Sequence, residues 1–387
     1  MRNGWVIKQL DEVCTKFGAG PFGSNMKIST FVDAGIPVVS GNHMTELELV
    51  EESFNYITED HANRMQSSIV QRNDVVITKA GTIGQVSLIP ENSRFLKYVL
   101  SSRQLFARPN VGYVVPKYLA IYLKYGRGQA QILSNVNRTG VPSLSQAVSF
   151  IKNVRIELPP LPEQKRIVDL ISSVDSYIEA LQKQLESAKK SRNAVLYELL
   201  TAEGGGWVET TLGKLLTLEY GKPLTDENRD GKGFPVFASA GVVGMHSEPL
   251  VSKSPVIVVG RKGTAGAVYW SETPCFVIDT AYYVKPLSDL DLRFLYLLLT
   301  FIDLKSVTAQ TGVPGLNRDR AYSLKCNVPP ISKQLEVVKI ITQLDDFIDS
   351  TQGTINRSQD LRSGLLSDLL SGVHEIHASY DKVIGAA

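Results

Sequence analysis

Two short glycine turns carry the residues of this sequence that are best suited to contact a phosphate. The turn Lys79-Ala80-Gly81-Thr82-Ile83-Gly84 is matched later in the chain by Arg261-Lys262-Gly263-Thr264-Ala265-Gly266. Glycines let a backbone approach a phosphate closely, and amides, cations and hydroxyls beside them donate hydrogen bonds to it. The pattern predicts contacts to an anionic ligand from Lys79, Gly81, Thr82, Arg261, Lys262 and Thr264. The alternative is that each turn is only a tight hairpin.

Two polar loops follow these turns and have the side chains that read nucleic-acid bases. They are the stretch from Asn137 to Ser143 and the stretch from Gln310 to Arg320. Arg, Asn and Gln form paired hydrogen bonds to base edges. We predict base contacts from Asn137, Arg138, Asn317 and Arg318, with Thr139, Gln310 and Arg320 beside them. A basic and aromatic run is a candidate to follow a nucleic-acid backbone, with Arg103 as a phosphate contact, and its members are Arg94, Phe95, Lys97, Tyr98, Arg103, Phe106 and Arg108.

Motifs for catalysis are weak in this sequence. The stretch Gly18-Ala19-Gly20-Pro21-Phe22-Gly23 matches a dinucleotide-binding spacing, but Pro21 interrupts it and no amphipathic helix follows. The turn from Gly260 to Gly266 lacks the Gly-Lys-Ser/Thr ending of a P-loop, and neither proline pair has the neighbours of an amino-methyltransferase motif. His374 and His377 lack a third metal ligand. We therefore predict no catalytic residue, no metal site and no cofactor on this chain.

The candidate residues lie in two divergent copies of one domain, residues 1–158 and 206–328. Gly4-Trp5-Val6 corresponds to Gly206-Trp207-Val208, Thr139-Gly140-Val141-Pro142 corresponds to Thr311-Gly312-Val313-Pro314, and three further pairs recur between them in the same order. Runs of β-branched or aromatic residues predict strands, and short apolar runs predict helices. The predicted strands are 75–78, 85–89, 153–158, 256–259, 276–278 and 323–328, and the predicted helices are 118–125 and 292–301. This mixture predicts an α/β (α+β) fold.

Each domain copy is followed by one long amphipathic helix. Apolar positions alternate at intervals of four and three in both helices, which is the period of a coiled-coil seam. The first seam is Ile167, Ile171, Val174, Ile178, Leu181, Leu185, Ala188, Arg192, Val195 and Leu199, and the second is Val337, Ile341, Leu344, Ile348, Thr351, Ile355, Ser358, Arg362, Leu365 and Leu369. Both seams hold an arginine at the same position, Arg192 and Arg362. Either these arginines fix the register of the pair, or they extend to solvent near a seam end.

Composition and charge favour a soluble protein that faces a polyanion. The chain has 387 residues, 43% hydrophobic and 21% charged, with a net charge of +2. From Arg64 to Arg155 there are 13 Lys or Arg against the two acids Asp74 and Glu91, which is either a ligand-facing surface or a solvated basic face. Three widely spaced cysteines, no signal peptide and no membrane-length apolar run predict a cytoplasmic protein with no membrane partner.

These features together resemble the specificity subunit of a type I restriction-modification enzyme, from Trp5 to about Gly372. The most specific elements are Leu158-Pro159-Pro160-Leu161-Pro162-Glu163-Gln164-Lys165-Arg166-Ile167 and the two glycine turns. The second copy departs from this pattern, because Ser332-Lys333-Gln334-Leu335-Glu336 replaces Pro162 to Arg166. The resemblance implies two recognition domains that each read half of a split double-stranded DNA site. It also implies two methylation subunits that use S-adenosylmethionine, and a restriction subunit, where one is present, that uses ATP and Mg²⁺.

The two helices are expected to run antiparallel if the second domain has its ends close together, as domains often do. About 38 residues at ~1.5 Å each make a rod of about 57 Å, comparable to ~17 base pairs at ~3.4 Å. Two similar domains related by a pseudo-twofold axis would match the approximate twofold symmetry of duplex DNA. The two helices would then set a spacer that the protein does not read.

We therefore expect five segments in a non-catalytic DNA specificity subunit. They are a recognition domain at 1–158, a helix at 159–203, a second recognition domain at 204–328, a second helix at 329–372 and a tail at 373–387. One alternative is a coiled-coil adaptor whose globular ends bind protein, which would not be retained on duplex DNA. Another is a stand-alone enzyme, which the missing motifs disfavour.

Overall fold

The chain folds into two units, and the computed structural model describes residues 4–202, 204, 206–309 and 315–384. Unit 1 consists of Met1–Ala180 with Ile355–Ala387, and unit 2 consists of Leu181–Thr354. Each unit contains a segment of both long helices, Leu161–Leu200 and Ile331–Leu370. These are the first long helix and the second long helix below.

Unit 1 is built on two four-stranded sheets. The first is antiparallel, with its strands in the order Cys14–Ala19, Gln104–Pro109, Val75–Thr78 and Val86–Leu88. The second is mixed, in the order Asn55–Ile57, Ile36–Val39, Lys97–Leu100 and Ile69–Gln71. Unit 1 also has two two-stranded antiparallel sheets, Val6–Gln9 with Arg155–Leu158 and Val136–Asn137 with Ser143–Leu144. Its shorter helices are Leu10–Val13, Glu59–Asn63, Pro116–Tyr125, Arg127–Ser134, Ala147–Lys152 and Tyr380–Ile384.

Unit 2 repeats the same plan. Its antiparallel sheet has the order Leu216–Tyr220, Ala281–Pro286, Val256–Gly260 and Val268–Ser271. A three-stranded sheet has the order Gly241–His246, Phe234–Ala238 and Phe276–Val277. The short pairs are Val208–Thr211 with Lys325–Val328 and Thr308–Ala309 with Gly315–Leu316. The shorter helices are Leu212–Leu215, Leu292–Phe301 and Arg318–Tyr322.

The strand that precedes each glycine turn is buried on both faces. Val75 and Ile77 belong to the core that packs on the helices, whereas Val76, on the opposite face, belongs to the core of the second sheet. In unit 2, Ile257 and Val259 likewise belong to the core that packs on the helices, and Val258 belongs to the core of the other sheet. Successive side chains of a strand point to opposite faces, so a strand between two cores needs a continuous apolar run. Each glycine turn therefore follows a strand that is packed on both faces.

The elements predicted from sequence are present, with shifts at their ends. Leu292–Phe301 agrees with its predicted bounds, and the predicted helix 118–125 begins at Pro116, because proline is favoured in a first turn. The strands predicted at 153–158 and 323–328 begin at Arg155 and Lys325. The prediction of an α/β (α+β) fold with an internal repeat and two long helices is confirmed.

The two long helices pack together in antiparallel directions. In unit 1, Asp175 of the first helix meets Arg362 of the second, while Leu170 and Leu369 line one cleft. In unit 2, Arg192 meets Asp345, while Leu196 and Val337 share one core. In each unit, residues that come later in the first helix lie beside residues that come earlier in the second helix. The antiparallel coiled coil expected from the sequence is confirmed.

Every predicted seam position is buried or half-buried. Of the positions chosen to define the register, Ile167, Ile178, Leu185, Ile341 and Ile355 are buried, and Ile348 is half-buried. The seam arginines do not simply extend to solvent, because each contacts an aspartate of the other helix. Arg192 Nε and Nη2 lie 2.7 and 3.2 Å from the two oxygens of Asp345. Arg362 contacts both oxygens of Asp175, and its guanidinium carbon lies 4.6 Å from the Tyr125 ring centroid.

Two glycines of the Gly18 to Gly23 stretch, Gly18 and Gly20, allow close backbone contacts. A Cβ on Gly20 would lie 1.6 Å from the carbonyl oxygen of Ser101, and one on Gly18 would lie 2.2 Å from that of Ser67. Gly221 takes the corresponding place in unit 2, where a Cβ would lie 2.1 Å from the Ile278 carbonyl oxygen. A Cβ on Gly23, in contrast, would meet open space, with no neighbouring atom within 4 Å.

A buried histidine stabilises the bend after strand Ile36–Val39. The Ser40 amide donates to His43 Nδ1 at 3.0 Å, and the imidazole stacks on Phe54 with ring centroids 4.3 Å apart. Burial lowers the pKa of His43 below its usual 6.5. Because Nδ1 accepts a hydrogen bond, the neutral imidazole is the form that fits this bend.

The segment after the second long helix packs on unit 1. Ile376 is buried in the main core of the unit, and Arg166 Nη1 lies 3.1 Å from Asp381 Oδ2. Through Asp381 the tail is therefore packed against the rest of the unit.

Candidate nucleic-acid interface

The glycine turn of unit 1 is held between a bend and a loop. The amides of Lys79 and Ala80 both donate to the Arg103 carbonyl, at 2.8 and 3.3 Å. The Gly81 amide donates to the Pro142 carbonyl at 2.9 Å, and the Leu144 amide donates to the Lys79 carbonyl at 2.9 Å. The structure thus brings the predicted residues Lys79, Gly81, Arg103 and the loop after Asn137 to one edge of the sheet.

The glycines of this turn act through their conformation. Gly81 and Gly84 have φ values of +86° and +95°, and Gly263 and Gly266 of unit 2 have +77° and +81°, in the region that favours glycine. Because the Gly81 amide is already used within the chain, its role is the tight turn that was the alternative prediction. Thr82 and Thr264 are exposed at the tips. The cations beside them, not the Gly81 amide, are available to an anion.

The loop after Asn137 is a short hairpin with an exposed tip. Asn137 pairs with Ser143, and Asn137 Oδ1 accepts a hydrogen bond from the Thr139 amide at 3.0 Å. Arg138 and Thr139 are exposed, and within residues 4–202 and the other described ranges Arg138 forms no ion pair. The Asn137 oxygen therefore shapes its own loop, and Arg138 is the unpaired donor that the loop presents.

Unit 2 repeats this arrangement with different side chains. The amides of Arg261 and Lys262 both donate to the Thr280 carbonyl, at 2.9 and 3.1 Å, and the Leu316 amide donates to the Arg261 carbonyl at 2.8 Å. Thr280 thus takes the place that Arg103 holds in unit 1. The predicted residue Gln310 lies outside the described residues.

The residues predicted at the end of the second loop divide into different roles. Asn317 caps the helix Arg318–Tyr322, because its Oδ1 accepts the Arg320 amide at 2.9 Å. This uses the oxygen that was expected to read a base, and Asn followed by a short helix is a signal of such a cap. Arg320 is exposed. Arg318 turns towards the glycine turn, with its guanidinium carbon 5.2 Å from the ring centroid of Tyr220.

The basic and aromatic run from Arg94 to Arg108 was wrongly interpreted as a surface that follows a backbone. Tyr98 and Phe106 are fully buried. Arg108 forms a bidentate pair with Asp74, and Lys97 and Arg94 pair with Glu59 and Glu51. Their charges are thus partly neutralised within the chain. Of this run, only Arg103 remains in the candidate interface. The helical spacing of Tyr118, Tyr122 and Tyr125 predicts that all three are core residues, and this is confirmed for Tyr118 and Tyr122 but is wrong for Tyr125, which is 39% exposed.

Two buried glutamines join each long helix to the start of a shorter helix, and sequence reasoning predicted no contact for them. Gln164 Oε1 accepts the Val115 amide at 2.8 Å, and its Nε2 donates to the carbonyls of Pro159 and Tyr113 at 2.9 and 3.1 Å. Gln334 Oε1 accepts the Asp291 amide at 2.9 Å, and its Nε2 donates to the Pro329 carbonyl at 2.9 Å. The sequence signal that could have predicted these contacts is a glutamine at the same distance after each proline pair.

The described residues hold no cluster of three or more His, Cys, Asp or Glu side chains able to bind a metal ion. His374 Nδ1 lies 3.3 Å from Asp368, and His377 contacts Ser379. Among the described helices none is long and apolar enough to cross a bilayer.

Known proteins resemble this chain along most of its length. A family model described as "Type I restriction modification DNA specificity domain" matches residues 2–190 and 205–357. A Methanocaldococcus jannaschii protein, named as a type I restriction enzyme MjaX specificity subunit, is 22% identical over 321 residues, which are 75% of each chain.

Solved structures share the fold. A crystal structure of the S subunit of a type I restriction-modification system from M. genitalium is 19% identical with a TM-score of 0.59, covering 95% of this chain and 97% of that one. A structure from a study of complex assembly in the type I restriction-modification system is 16% identical with a TM-score of 0.65, covering 96% and 98%.

Proposed function

Because the chain belongs to the type I restriction modification DNA specificity family, we propose that each of its two units reads one half of a split duplex DNA target. The chain is a DNA sequence-specificity subunit of a type I restriction-modification system. The observation that carries the proposal is the repeated construction of the turn and loop in both units, with unlike side chains on it. One scaffold with two sets of side chains is suited to two different half-sites.

Phosphate and base contacts fall to different residues in this proposal. Lys79 and Arg103 of unit 1 and Lys262 of unit 2 lie on or beside the turns and contact phosphates. Arg138 of unit 1 and Arg318 of unit 2 reach base edges, where a guanidinium forms paired hydrogen bonds with guanine. Phosphate contacts make the affinity fall with salt, whereas the loss of a base contact relaxes one position of the target.

The segments at 159–203 and 329–372 set the stretch of target that is not read. Each long helix has 40 residues and is therefore about 60 Å long at ~1.5 Å per residue. The interhelical pairs of Arg192 with Asp345 and of Arg362 with Asp175 fix the register, because a shift along the seam would separate both pairs. The recognition domains are then 1–158 and 204–328.

Catalysis is assigned to partner subunits. We propose that two methylation subunits assemble with this chain and use S-adenosylmethionine, and that a restriction subunit, where one is encoded, uses ATP and Mg²⁺. The chain itself is not an enzyme in this proposal and acts in the cytoplasm. Its contribution is to choose the site on which the other subunits act.

Exchange of the second recognition domain tests the proposal. Residues 206–328 are replaced by the corresponding domain of a relative with a known target, and methylated sites are mapped by sequencing in cells that also express the partner subunits. We expect the second half-site to change to that of the donor while the first stays the same. An unchanged second half-site contradicts the proposal.

Binding to duplex DNA at increasing salt is the second measurement. We expect the wild-type chain with its partner subunits to be retained at low salt and released as salt rises. An assembly that is not retained even at low salt would instead favour the adaptor alternative.

A further inference from the structure

Two arginines of unit 2 share one tyrosine ring. The guanidinium carbon of Arg261 lies 4.9 Å from the Tyr220 ring centroid, and that of Arg318 lies 5.2 Å from it. A guanidinium within about 6 Å of an aromatic centroid is attracted by the ring quadrupole. Arg261 comes from the glycine turn and Arg318 from the short helix after the loop. Tyr220 therefore holds together two residues that are distant in the sequence.

The tyrosine is itself held by the sheet. Tyr220 ends the strand Leu216–Tyr220 and pairs with Tyr282 of the neighbouring strand, and their ring centroids are 5.1 Å apart. Tyr282 is buried, and burial together with its hydrogen bond to Tyr220 raises its pKa. Tyr220 is 48% exposed, so one end of its ring is fixed while the rest faces the arginines.

The two arginines at the Tyr220 ring keep donors for a ligand. A ring contact occupies the face of a guanidinium and leaves its N–H groups pointing outward in the plane. One donor of Arg261 is used, because Nη1 donates to the Asp279 carbonyl at 2.6 Å. Within the part of the chain that the structure describes, neither Arg261 nor Arg318 forms an ion pair. Two cations without an ion-pair partner among the described residues therefore contact one ring and keep N–H donors.

Unit 1 has no aromatic ring at the sheet position that corresponds to Tyr220. Ala19 pairs with Leu105 as Tyr220 pairs with Tyr282, and the following glycines, Gly20 and Gly221, make the corresponding backbone contacts. Alanine provides no ring at this position. The two units therefore present their cations in different ways on the same sheet edge.

We infer that Tyr220 is a positioning residue that orients both Arg261 and Arg318 towards DNA. Arg261 then binds a phosphate, and Arg318 binds a guanine of the second half-site. This inference rests on the proposed function of unit 2. A bidentate arginine on the O6 and N7 atoms of guanine discriminates strongly between bases, provided that its orientation is fixed. The second half-site therefore contains a guanine whose recognition depends on the Tyr220 ring.

The test uses the full chain assembled with its partner subunits. Tyr220→Phe keeps the ring, Tyr220→Ala removes it, and Tyr220→Leu removes it while it keeps apolar bulk. Binding to the wild-type target is measured by fluorescence anisotropy, alongside duplexes in which each base pair is replaced in turn. Tyr113→Ala, which removes a tyrosine that is 59% exposed in unit 1, is the matched control.

We expect the Ala and Leu variants to lose about 5- to 30-fold of the preference for one guanine, because two ring contacts of this kind are lost. The loss is confined to the second half-site, and Tyr220→Phe and Tyr113→Ala keep the wild-type preference. The inference is overturned if the Ala and Leu variants read every position as before, if Tyr220→Phe loses as much as Tyr220→Ala, or if the loss spreads equally to the first half-site. A wild-type assembly with no preference for a split target would instead contradict the proposed function.

Discussion

The glutamine near the start of each long helix gives the most direct test of how that helix is joined to the start of a shorter helix in the same unit. We predict that Gln164→Met destabilises the junction in unit 1 more than Gln334→Met does in unit 2. Both side chains are buried, with exposed fractions of 1% and 2%. Methionine has a similar length and flexibility, so the substitution removes the polar contacts with little change in packing.

The magnitude follows from the number of hydrogen bonds. Gln164 takes part in three, with the Val115 amide and the carbonyls of Pro159 and Tyr113. Gln334 takes part in two, with the Asp291 amide and the Pro329 carbonyl. At a net value of about 1 kcal/mol for each bond, the expected losses are about 3 and about 2 kcal/mol.

Amide hydrogen exchange is the appropriate assay, because it reports the local opening of each junction separately. The Val115 amide should exchange about fivefold faster or more in Gln164→Met, since it loses its acceptor. The Asp291 amide should respond in the same way to Gln334→Met. Gln182→Met, which changes an exposed glutamine of the first long helix, is the control.

Two outcomes would refute this reasoning. In the first, the Val115 amide in Gln164→Met exchanges at the wild-type rate, so that the glutamine is not its acceptor. In the second, Gln182→Met weakens the chain as much as Gln164→Met, so that any change of glutamine in this helix has the same effect.

Three further predictions concern the seam, a glycine and pH. Arg192→Asp should lower stability by about 1–3 kcal/mol because it places two carboxylates together, and adding Asp345→Arg should recover most of the loss, measured as a double-mutant cycle of thermal midpoints. Gly20→Ala should prevent accumulation of folded protein, whereas Gly23→Ala should change stability by no more than about 0.5 kcal/mol, measured by soluble yield and thermal unfolding. Stability should fall as pH decreases from about 6.5 towards the lowered pKa of His43, because the unfolded chain binds the proton more tightly than the folded chain does. His43→Gln should reduce the dependence of the thermal midpoint on pH between about pH 7.5 and about pH 5.5.

Each of these predictions has a result that contradicts it. For the seam, the reasoning fails if the double variant Arg192→Asp with Asp345→Arg loses as much stability as the two single variants lose in total. For the glycine, normal folding of Gly20→Ala would show that the close approach to the Ser101 carbonyl is not needed. For pH, an identical slope in the wild type and in His43→Gln would assign the acid sensitivity to other groups.

The sequence alone determined the features that depend on short-range periodicity and on repetition. The intervals of four and three along ten positions located both seams, because side chains three and four residues apart lie on one face of a helix. The short motifs that recur in the same order, such as Gly4-Trp5-Val6 and Gly206-Trp207-Val208, identified two copies of one domain. The glycine turns were located for the same reason, since a left-handed backbone conformation is a local property of residues such as Gly81 and Gly263.

Only the tertiary structure decided which polar groups remain available for a ligand. Asn317 and Arg108 have the chemistry of nucleic-acid contacts in the sequence, but the first caps a helix and the second pairs with Asp74, 34 positions away in the chain. Gln164 reaches an amide 49 positions away, and Tyr220 meets arginines from two separate segments. A donor or acceptor is satisfied by whichever group the fold brings within about 3 Å, and that distance is set by long-range packing and not by local pattern.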